Sequence, residues 1–238
     1  MKNIILCLII LFCGELLFSQ KIILHRNSGG NQILYSSSID SITFLPFVCG
    51  DEIRYEGKTY NTVLIGDQCW LKENLDIGTM ITGWPNNNGV IEKYCYDNLP
   101  ANCETYGGLY MWGEAMKYVT NEGAQGICPT GWHIPTEAQY LELITFVNSN
   151  GNELKREDQG NGSGQGTNTS GFSGLLAGGK GYSGGPFYAL GEWGSFWMSK
   201  PNTSSYAYTM QILADTSTIN IHAGTMVSWG MSVRCIKD

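Results

Sequence analysis

The stretch Cys128-Pro-Thr-Gly-Trp-His-Ile-Pro-Thr-Glu-Ala-Gln-Tyr-Leu-Glu-Leu-Ile-Thr-Phe-Val147 carries the strongest structural signal in the chain. In it, Thr136 and Gln139 are spaced as in a capping box, where each side chain binds a backbone N–H at the start of a helix. An apolar stripe with helical spacing follows at Tyr140, Leu143, Ile144 and Val147. We therefore predict a helix that begins after Thr136 and stops at Asn150-Gly151.

The sequence on both sides of this helix favours short strands. Before it, residues 54–65 predict a hairpin that turns at Glu56-Gly57-Lys58, and the apolar spacing of residues 109–119 predicts a first helix. After it, residues 158–170 form a loop rich in Gly, Asn and Ser. Short strands are then predicted at residues 172–176, 187–190, 195–199, 205–213 and 232–236. Strands, two helices and further strands indicate an α+β fold with many short antiparallel strands.

The cysteines predict a disulfide framework. Outside the N-terminal segment they are Cys49, Cys69, Cys95, Cys103, Cys128 and Cys235. An even number in an exported chain is typical of paired cysteines, although six of them allow fifteen pairings. The short loop favours Cys95 with Cys103, and Cys49 and Cys69 flank the predicted hairpin, which leaves Cys128 with Cys235. Neither a CxxC pair nor a ligand-spaced histidine pair is present in the sequence, so we expect no metal site and no cofactor.

The N-terminus predicts export. Lys2 precedes an apolar run from Ile4 to Phe12, which is too short for a comfortable bilayer span and is typical of a secretory signal peptide. We assign residues 1–20 to this signal peptide, 21–47 to a short N-terminal β segment with strands at 21–25, 32–35 and 39–44, and 48–238 to the main domain. An uncleaved membrane anchor and a lipoprotein modified at Cys13 are the alternatives. No other segment is apolar enough to predict a membrane span.

The composition favours a loop-rich globular domain. Of 238 residues, 31 are glycine, which accepts the positive φ of tight turns without steric cost, and only 15% are charged. The net charge of −7 repels polyanions on average, and the sequence contains no stripe of Lys and Arg. Nucleic acid and anionic membrane surfaces are therefore not expected as partners.

Several stretches from residue 60 to residue 235 form motifs in a fixed order: residues 60–75, 106–110, 128–136, 170–172 and 232–235. Together they resemble the Fibrobacter succinogenes major paralogous domain family, over the region from Cys49 to the chain end. The resemblance implies an exported or surface domain without a defined biochemical activity. It also implies a distant likeness to C-type-lectin-like folds and to the formylglycine-generating enzymes, whose helix start and Phe-Arg-Cys ending are similar to residues 131–137 and 233–235.

The sequence does not favour an enzyme. The formylglycine-generating reaction needs two neighbouring thiols near the C-terminus, whereas Cys235 stands alone there. A glycosidase needs two carboxylates in distinct environments, and nothing singles out a pair among Glu73, Glu114, Glu137 and Asp215. We therefore expect no catalytic residues, and keep an enzyme related to the formylglycine-generating group as a less favoured alternative.

Exposed aromatic side chains suggest a binding surface, because Trp and Tyr rings can stack on sugars. The candidates are Trp84, Tyr182, Tyr188, Trp193 and Trp229, whereas Trp70, Trp112, Trp132 and Trp197 are expected in the core. A lectin-type calcium site is not expected, since Lys200 stands where a carboxylate would be required. We expect a periplasmic, cell-surface or secreted binding or adhesion domain with a glycan or a cell-envelope protein as candidate partner. A structural or protein-binding domain of the cell envelope is the alternative. The sequence leaves the oligomeric state open.

Overall fold

The computed structural model describes residues 21–25, 31–35, 46–182 and 184–238. The chain divides into two compact units, Met1–Pro46 and Phe47–Asp238. In the first unit, β1 (Lys21–His25) pairs antiparallel with β2 (Asn31–Tyr35), which confirms two of the predicted strands. The predicted signal peptide (1–20) and the predicted third strand (39–44) lie outside the described residues. Within the described ranges, no helix is long and apolar enough to cross a membrane.

The described residues of the second unit form three α-helices and many short strands. The helices are α1 (Pro100–Tyr106), α2 (Trp112–Ala115) and α3 (Glu137–Phe146). The strands are β3 (Ile53–Tyr55), β4 (Lys58–Tyr60), β5 (Thr62–Ile65), β6 (Gln68–Leu71), β7 (Thr79–Met80), β8 (Glu92–Lys93), β9 (Tyr110–Met111), β10 (Trp132–His133), β11 (Gly179–Lys180), β12 (Phe187–Tyr188), β13 (Trp193–Pro201), β14 (Tyr206–Leu213), β15 (Ile219–Met226), β16 (Gly230–Met231) and β17 (Ile236–Lys237).

These strands form small sheets rather than one large sheet. Two four-stranded sheets have the orders β10-β17-β6-β5 and β12-β11-β16-β9, and a three-stranded sheet has the order β13-β14-β15. β3 and β4 form the predicted hairpin, whose turn residues Glu56 and Gly57 both have positive φ. All described strand pairs are antiparallel except β7 with β8. The predicted α+β class with many short antiparallel strands is confirmed.

Helix α3 begins as predicted. The Thr136 hydroxyl accepts from the Gln139 N–H at 3.2 Å, and the Gln139 side chain accepts from the Thr136 N–H at 2.9 Å. The helix ends earlier than predicted, at Phe146, because Asn148 and Ser149 both have left-handed backbone conformations that cannot continue a helix. The predicted stop at Asn150-Gly151 is therefore wrong by one turn.

The predicted helix over residues 109–119 is wrong in most of its length. Its first part is strand β9, which pairs with β16, and only Trp112–Ala115 is helical. Positive φ values at Lys117 and Tyr118 end this single turn. The strand and the helical turn both bury their apolar side chains, and the combined spacing of these residues in the sequence matches that of one helical face. Helix α1 was not predicted; it begins at Pro100, a residue that suits the first helical position.

Other strand predictions needed correction. Residues 172–176 are not a strand, and only Gly174 makes an isolated bridge, to Lys155. The predicted strand over residues 232–236 is replaced by β16 and β17 on either side of an irregular segment. Strand β15 was not predicted, although Ile219 and Ile221 pack on the core and alternate with Asn220 and His222.

All three predicted disulfides are confirmed: Cys49–Cys69, Cys95–Cys103 and Cys128–Cys235. The last one joins residues 107 positions apart, and closing so long a loop restricts the unfolded chain by about 4–5 kcal/mol in the chain-entropy model. Disulfides persist in oxidising compartments. The three bonds therefore indicate an extracellular or periplasmic environment.

A fully buried arginine lies beside the Cys128–Cys235 disulfide. The Arg234 guanidinium donates to the carbonyl oxygens of Leu71 and Phe172 and to Asn74 Oδ1, and it lies 4.4 Å from the Phe172 ring. No carboxylate among the described residues pairs with it. These contacts join three segments that are distant in the sequence.

Two buried lysines organise the Gly-rich loops. Lys155 Nζ donates to the carbonyl oxygens of Gly164, Leu213 and Thr216, and so anchors the loop at residues 158–170. The second Gly-rich loop, which contains Gly181, Gly184 and Gly185, follows Lys180. Lys180 Nζ contacts the carbonyl oxygen of Gly185 and lies 4.9 Å from the Phe187 ring centroid. In each loop, a backbone carbonyl oxygen therefore contacts a buried ammonium group.

Two fully buried tyrosines provide a test of this core. The Tyr110 hydroxyl accepts from the Ile77 N–H and donates to the Ile77 carbonyl oxygen, whereas none of the described residues hydrogen-bonds the Tyr140 hydroxyl. We predict that Tyr110→Phe lowers the free energy of unfolding by about 1–3 kcal/mol, because it leaves buried backbone groups unsatisfied. Tyr140→Phe, the matched control, should leave stability unchanged or raise it. Denaturant unfolding of the oxidised protein measures both, and an equal loss in the two variants would contradict the prediction.

Candidate functional site

Two cavities in the described part of the second unit each have a volume of about 380 Å³. The first lies between β4, residues 72–76 and the end of α1, and three of its six charged residues, Lys58, Asp76 and Arg156, form ion pairs. Asp76 contacts both Lys58 and Lys93, Arg156 pairs with Asp158, and Glu73 accepts two hydrogen bonds from Asn61. Burial, together with the nearby Lys93, lowers the pKa of Lys58. The ion pairs and the Glu73 hydrogen bonds therefore engage four of the six charged residues that line this cavity.

The second cavity, which we call the aromatic groove, lies on one face of the β13-β14-β15 sheet. The opposite face of this sheet packs on the core through Phe196, Met210 and Ile212. Because side chains alternate along a strand, Ser195 and Gln211 face the groove instead. The groove is lined by Trp193, Ser195, Thr209, Gln211, His222, Gly224, Thr225, Met226, Trp229 and Met231.

The floor of the aromatic groove is polar and keeps unused hydrogen-bonding capacity. His222 Nε2 lies 3.0 Å from Gln211 Oε1, which can only accept, so the amide NH₂ of Gln211 stays available. Thr209 and Thr225 share one hydrogen bond of 2.9 Å between their hydroxyls. Ser195 is only 2% exposed, and no described residue hydrogen-bonds its hydroxyl. A ligand with several hydroxyl groups would find both donors and acceptors on this floor.

The walls of the groove are aromatic and sulfur-containing side chains. Trp193 and Trp229 line it, and Tyr188 stacks on Trp229 with ring centroids 5.9 Å apart and planes inclined by 23°. Glycines provide room for these rings. A Cβ on Gly179 would lie 2.6 Å from the Trp193 ring, and one on Gly181 would lie 2.8 Å from the Tyr188 ring.

The structure brings together three of the five aromatic residues proposed from the sequence. Trp193 and Trp229 line the groove, and Tyr188 supports Trp229 from outside it. Trp84 and Tyr182 do not line it; they are 57% and 55% exposed, on separate loops. The four tryptophans predicted to be core residues are all buried.

The polar floor was not predicted. Its signal was present in the alternation of Thr209 and Gln211 with Met210 and Ile212 inside the predicted strand at residues 205–213. His222 and Thr225 lie on β15, the strand that the sequence analysis missed. Pairing between β14 and β15 brings them to the groove.

The groove lining contains no Asp, Glu, Lys or Arg among the described residues. Among all residues that the structure describes, no three His, Cys, Asp or Glu side chains are grouped so that they could hold a metal ion. The chemistry that the groove presents is therefore aromatic faces, hydroxyls, an amide and one imidazole.

Comparison with known families identifies the domain. The model of the Fibrobacter succinogenes major domain matches residues 63–237. The chain belongs to this family. The match of the Fibrobacter succinogenes major domain covers every residue of the aromatic groove and two of the three disulfides in full. Searches of curated proteins and of solved structures found no match, so the likeness to C-type lectins stays a prediction.

Two glycines test how the groove wall is built. We predict that Gly179→Ala displaces the Trp193 ring and costs about 1–3 kcal/mol, as overpacking does. Gly224→Ala is the matched control, because Gly224 also lines the groove but no atom lies within 4 Å of the added Cβ, and it should change stability by less than about 0.5 kcal/mol. Thermal unfolding and tryptophan fluorescence measure the two effects. Equal behaviour of the two variants would refute the proposed wall geometry.

Proposed function

We propose that this protein is an exported, non-enzymatic binding domain whose aromatic groove holds a neutral carbohydrate. The observation that carries the proposal is the combination of aromatic walls and an incompletely hydrogen-bonded polar floor in one groove. Its volume of about 380 Å³ lies within the usual range of small-molecule sites, roughly 300–1,000 Å³.

A sugar ring matches both surfaces of the groove. Its C–H groups can pack on the faces of Trp193 and Trp229, since the face of an aromatic ring carries negative charge. Its hydroxyl groups can accept from the Gln211 amide and exchange hydrogen bonds with the Ser195 hydroxyl. Without a ligand these groups are left to water, and a ligand that replaces this water with well-aligned hydrogen bonds gains affinity.

The charge pattern favours a neutral sugar. No formally charged Lys, Arg, Asp or Glu side chain lines the described groove, so an acidic sugar would have no counter-ion there. The net charge of −7 also repels anionic glycans at long range.

The same lining supports binding without catalysis. Glycoside hydrolysis generally uses a pair of carboxylates on either side of the bond to be cleaved. The described lining of the groove supplies none. Export is supported by the three disulfides and by the apolar N-terminal run of the sequence.

Glycan-array screening of the mature oxidised protein, followed by calorimetry with the strongest neutral glycan, tests this function. Trp193→Ala should weaken binding by about 2 kcal/mol or more, roughly thirtyfold, because the ring is a central contact. Gln211→Ala should weaken it less, through the lost hydrogen bonds. Trp84→Ala is the matched control, since Trp84 is exposed but lies outside the groove, and it should leave affinity unchanged.

Two outcomes would contradict the carbohydrate proposal. One is an array on which no neutral glycan binds to folded protein. The other is binding that Trp84→Ala weakens as much as Trp193→Ala does. Circular dichroism of each variant shows whether a loss of binding reflects unfolding.

Protein binding is the second candidate function. Trp84, Val90, Tyr118 and Val119 are all exposed apolar side chains. Their loops are linked, because the Glu92 N–H donates to Glu114, which also contacts the Tyr118 hydroxyl. Exposed apolar patches are typical of protein interfaces. Loss of cell-envelope binding in Trp84→Ala, with Trp193→Ala unaffected, would favour this candidate.

A further inference from the structure

The chain contains three Asn-Gly pairs, at Asn88-Gly89, Asn150-Gly151 and Asn161-Gly162. Asparagine before glycine is chemically labile, because the backbone nitrogen of the glycine can attack the side-chain carbonyl carbon of the asparagine. Glycine has no Cβ to hinder this approach. The three pairs have different surroundings, which determine whether the attack can occur in the folded protein.

At Asn88 the surroundings favour the attack. Asn88 Oδ1 accepts from the Val90 N–H at 2.8 Å, which folds the side chain over Gly89. Gly89 is exposed, has a φ of +82°, and has no atom within 4 Å of the position where a Cβ would lie. Its own N–H makes no hydrogen bond to any described residue, so no such bond has to break before the nitrogen attacks.

At Asn150 the same local turn is present, but the nucleophile is held. Asn150 Oδ1 accepts from the Asn152 N–H at 3.2 Å, as Asn88 Oδ1 does from Val90. However, the Gly151 N–H donates to the Ser217 carbonyl oxygen at 2.7 Å, and Gly151 is buried. Attack would require breaking this hydrogen bond inside the fold.

Asn161-Gly162 is an intermediate case. The Asn161 side chain makes no capping hydrogen bond to the short helical turn Gly162–Gly164 that follows it, so it lacks the folded arrangement of Asn88. Its backbone is held on both sides, since the Asn161 N–H donates to Ala214 and its carbonyl oxygen accepts from Gly164.

We propose that Asn88 is a site of spontaneous modification, at which the side-chain amide is lost and replaced by a carboxylate. The Gly89 nitrogen, after giving its proton to water, bonds to Asn88 Cγ, and the Cγ–Nδ2 bond breaks to release ammonia. Water then opens the cyclic imide at either carbonyl, which leaves aspartate or isoaspartate at position 88. The net reaction consumes one water and releases one ammonia, and it needs no other reactant.

The modification changes the exposed loop that carries Trp84. It adds one negative charge close to Glu92, whose carboxylate accepts from the Asn86 N–H at 2.6 Å. The isoaspartate form also lengthens the backbone of this loop by one atom. The protein should therefore separate into charge forms during storage, and this inference is independent of carbohydrate binding.

Incubation of the folded, oxidised protein in water labelled with heavy oxygen, followed by peptide mass spectrometry, tests the proposal. We expect label at position 88 well before position 161, and none at position 150 over the same period. In reduced, denatured protein the rates at positions 88 and 150 should become similar, because the Gly151–Ser217 hydrogen bond is lost. Asn88→Gln should remove the main charge form on ion exchange without changing the fold.

The proposal is overturned if position 88 stays unlabelled in folded protein while denatured protein is labelled there. It is also overturned if positions 88 and 150 react at equal rates in the folded state. In either case the Asn88 turn and the Gly151–Ser217 hydrogen bond would not control the reaction.

Discussion

The structure depends most on the burial of one positive charge, the Arg234 guanidinium. Moving a charge out of water is costly unless hydrogen bonds replace its hydration. Burial lowers the pKa of Arg234 to about 10, so the group remains charged at neutral pH. Its partners are the carbonyl oxygens of Leu71 and Phe172 and the side-chain oxygen of Asn74. They satisfy the guanidinium only when residues 71–74, Phe172 and the C-terminal segment with Arg234 are all in place. The neighbouring Cys128–Cys235 bond restricts the unfolded chain and holds the Arg234 segment close to these oxygens.

A similar arrangement recurs in the Gly-rich loops, where a buried ammonium group contacts backbone carbonyl oxygens. Lys155 and Lys180 each bring an ammonium group to one backbone carbonyl oxygen of a Gly-rich loop, that of Gly164 and that of Gly185. Lys155 also donates to the carbonyl oxygens of Leu213 and Thr216, outside its loop. The Lys180 loop matters for the aromatic groove, because Gly179 and Gly181 on either side of this lysine make room for the Trp193 and Tyr188 rings. Under the proposed function, a wall fixed in this way would reduce the entropy cost of binding.

Sequence reasoning succeeded where the signal was local. The capping box of α3, the β3-β4 turn and the spacing of the cysteines each involve groups close in sequence or few in number, and all three were confirmed. It failed where distant partners decide the structure. Tyr110–Met111, at the start of the predicted helix, became a strand because β16 pairs with it. The buried cations were not foreseen because most of their partners are backbone carbonyls. For the site, the aromatic walls were proposed in part, whereas the floor depends on β15 lying beside β14.

The alternation along β13 and β14 separates the stability of the domain from the chemistry of its groove. Phe196, Met210 and Ile212 point into the core, while Ser195 and Gln211 point into the groove from the same strands. Polar residues of the floor can therefore change without removing core packing, and the Arg234 anchor lies outside the groove lining. Such an arrangement allows one framework to carry different groove floors. A domain built in this way can vary its groove while its disulfides and buried charges keep the fold constant.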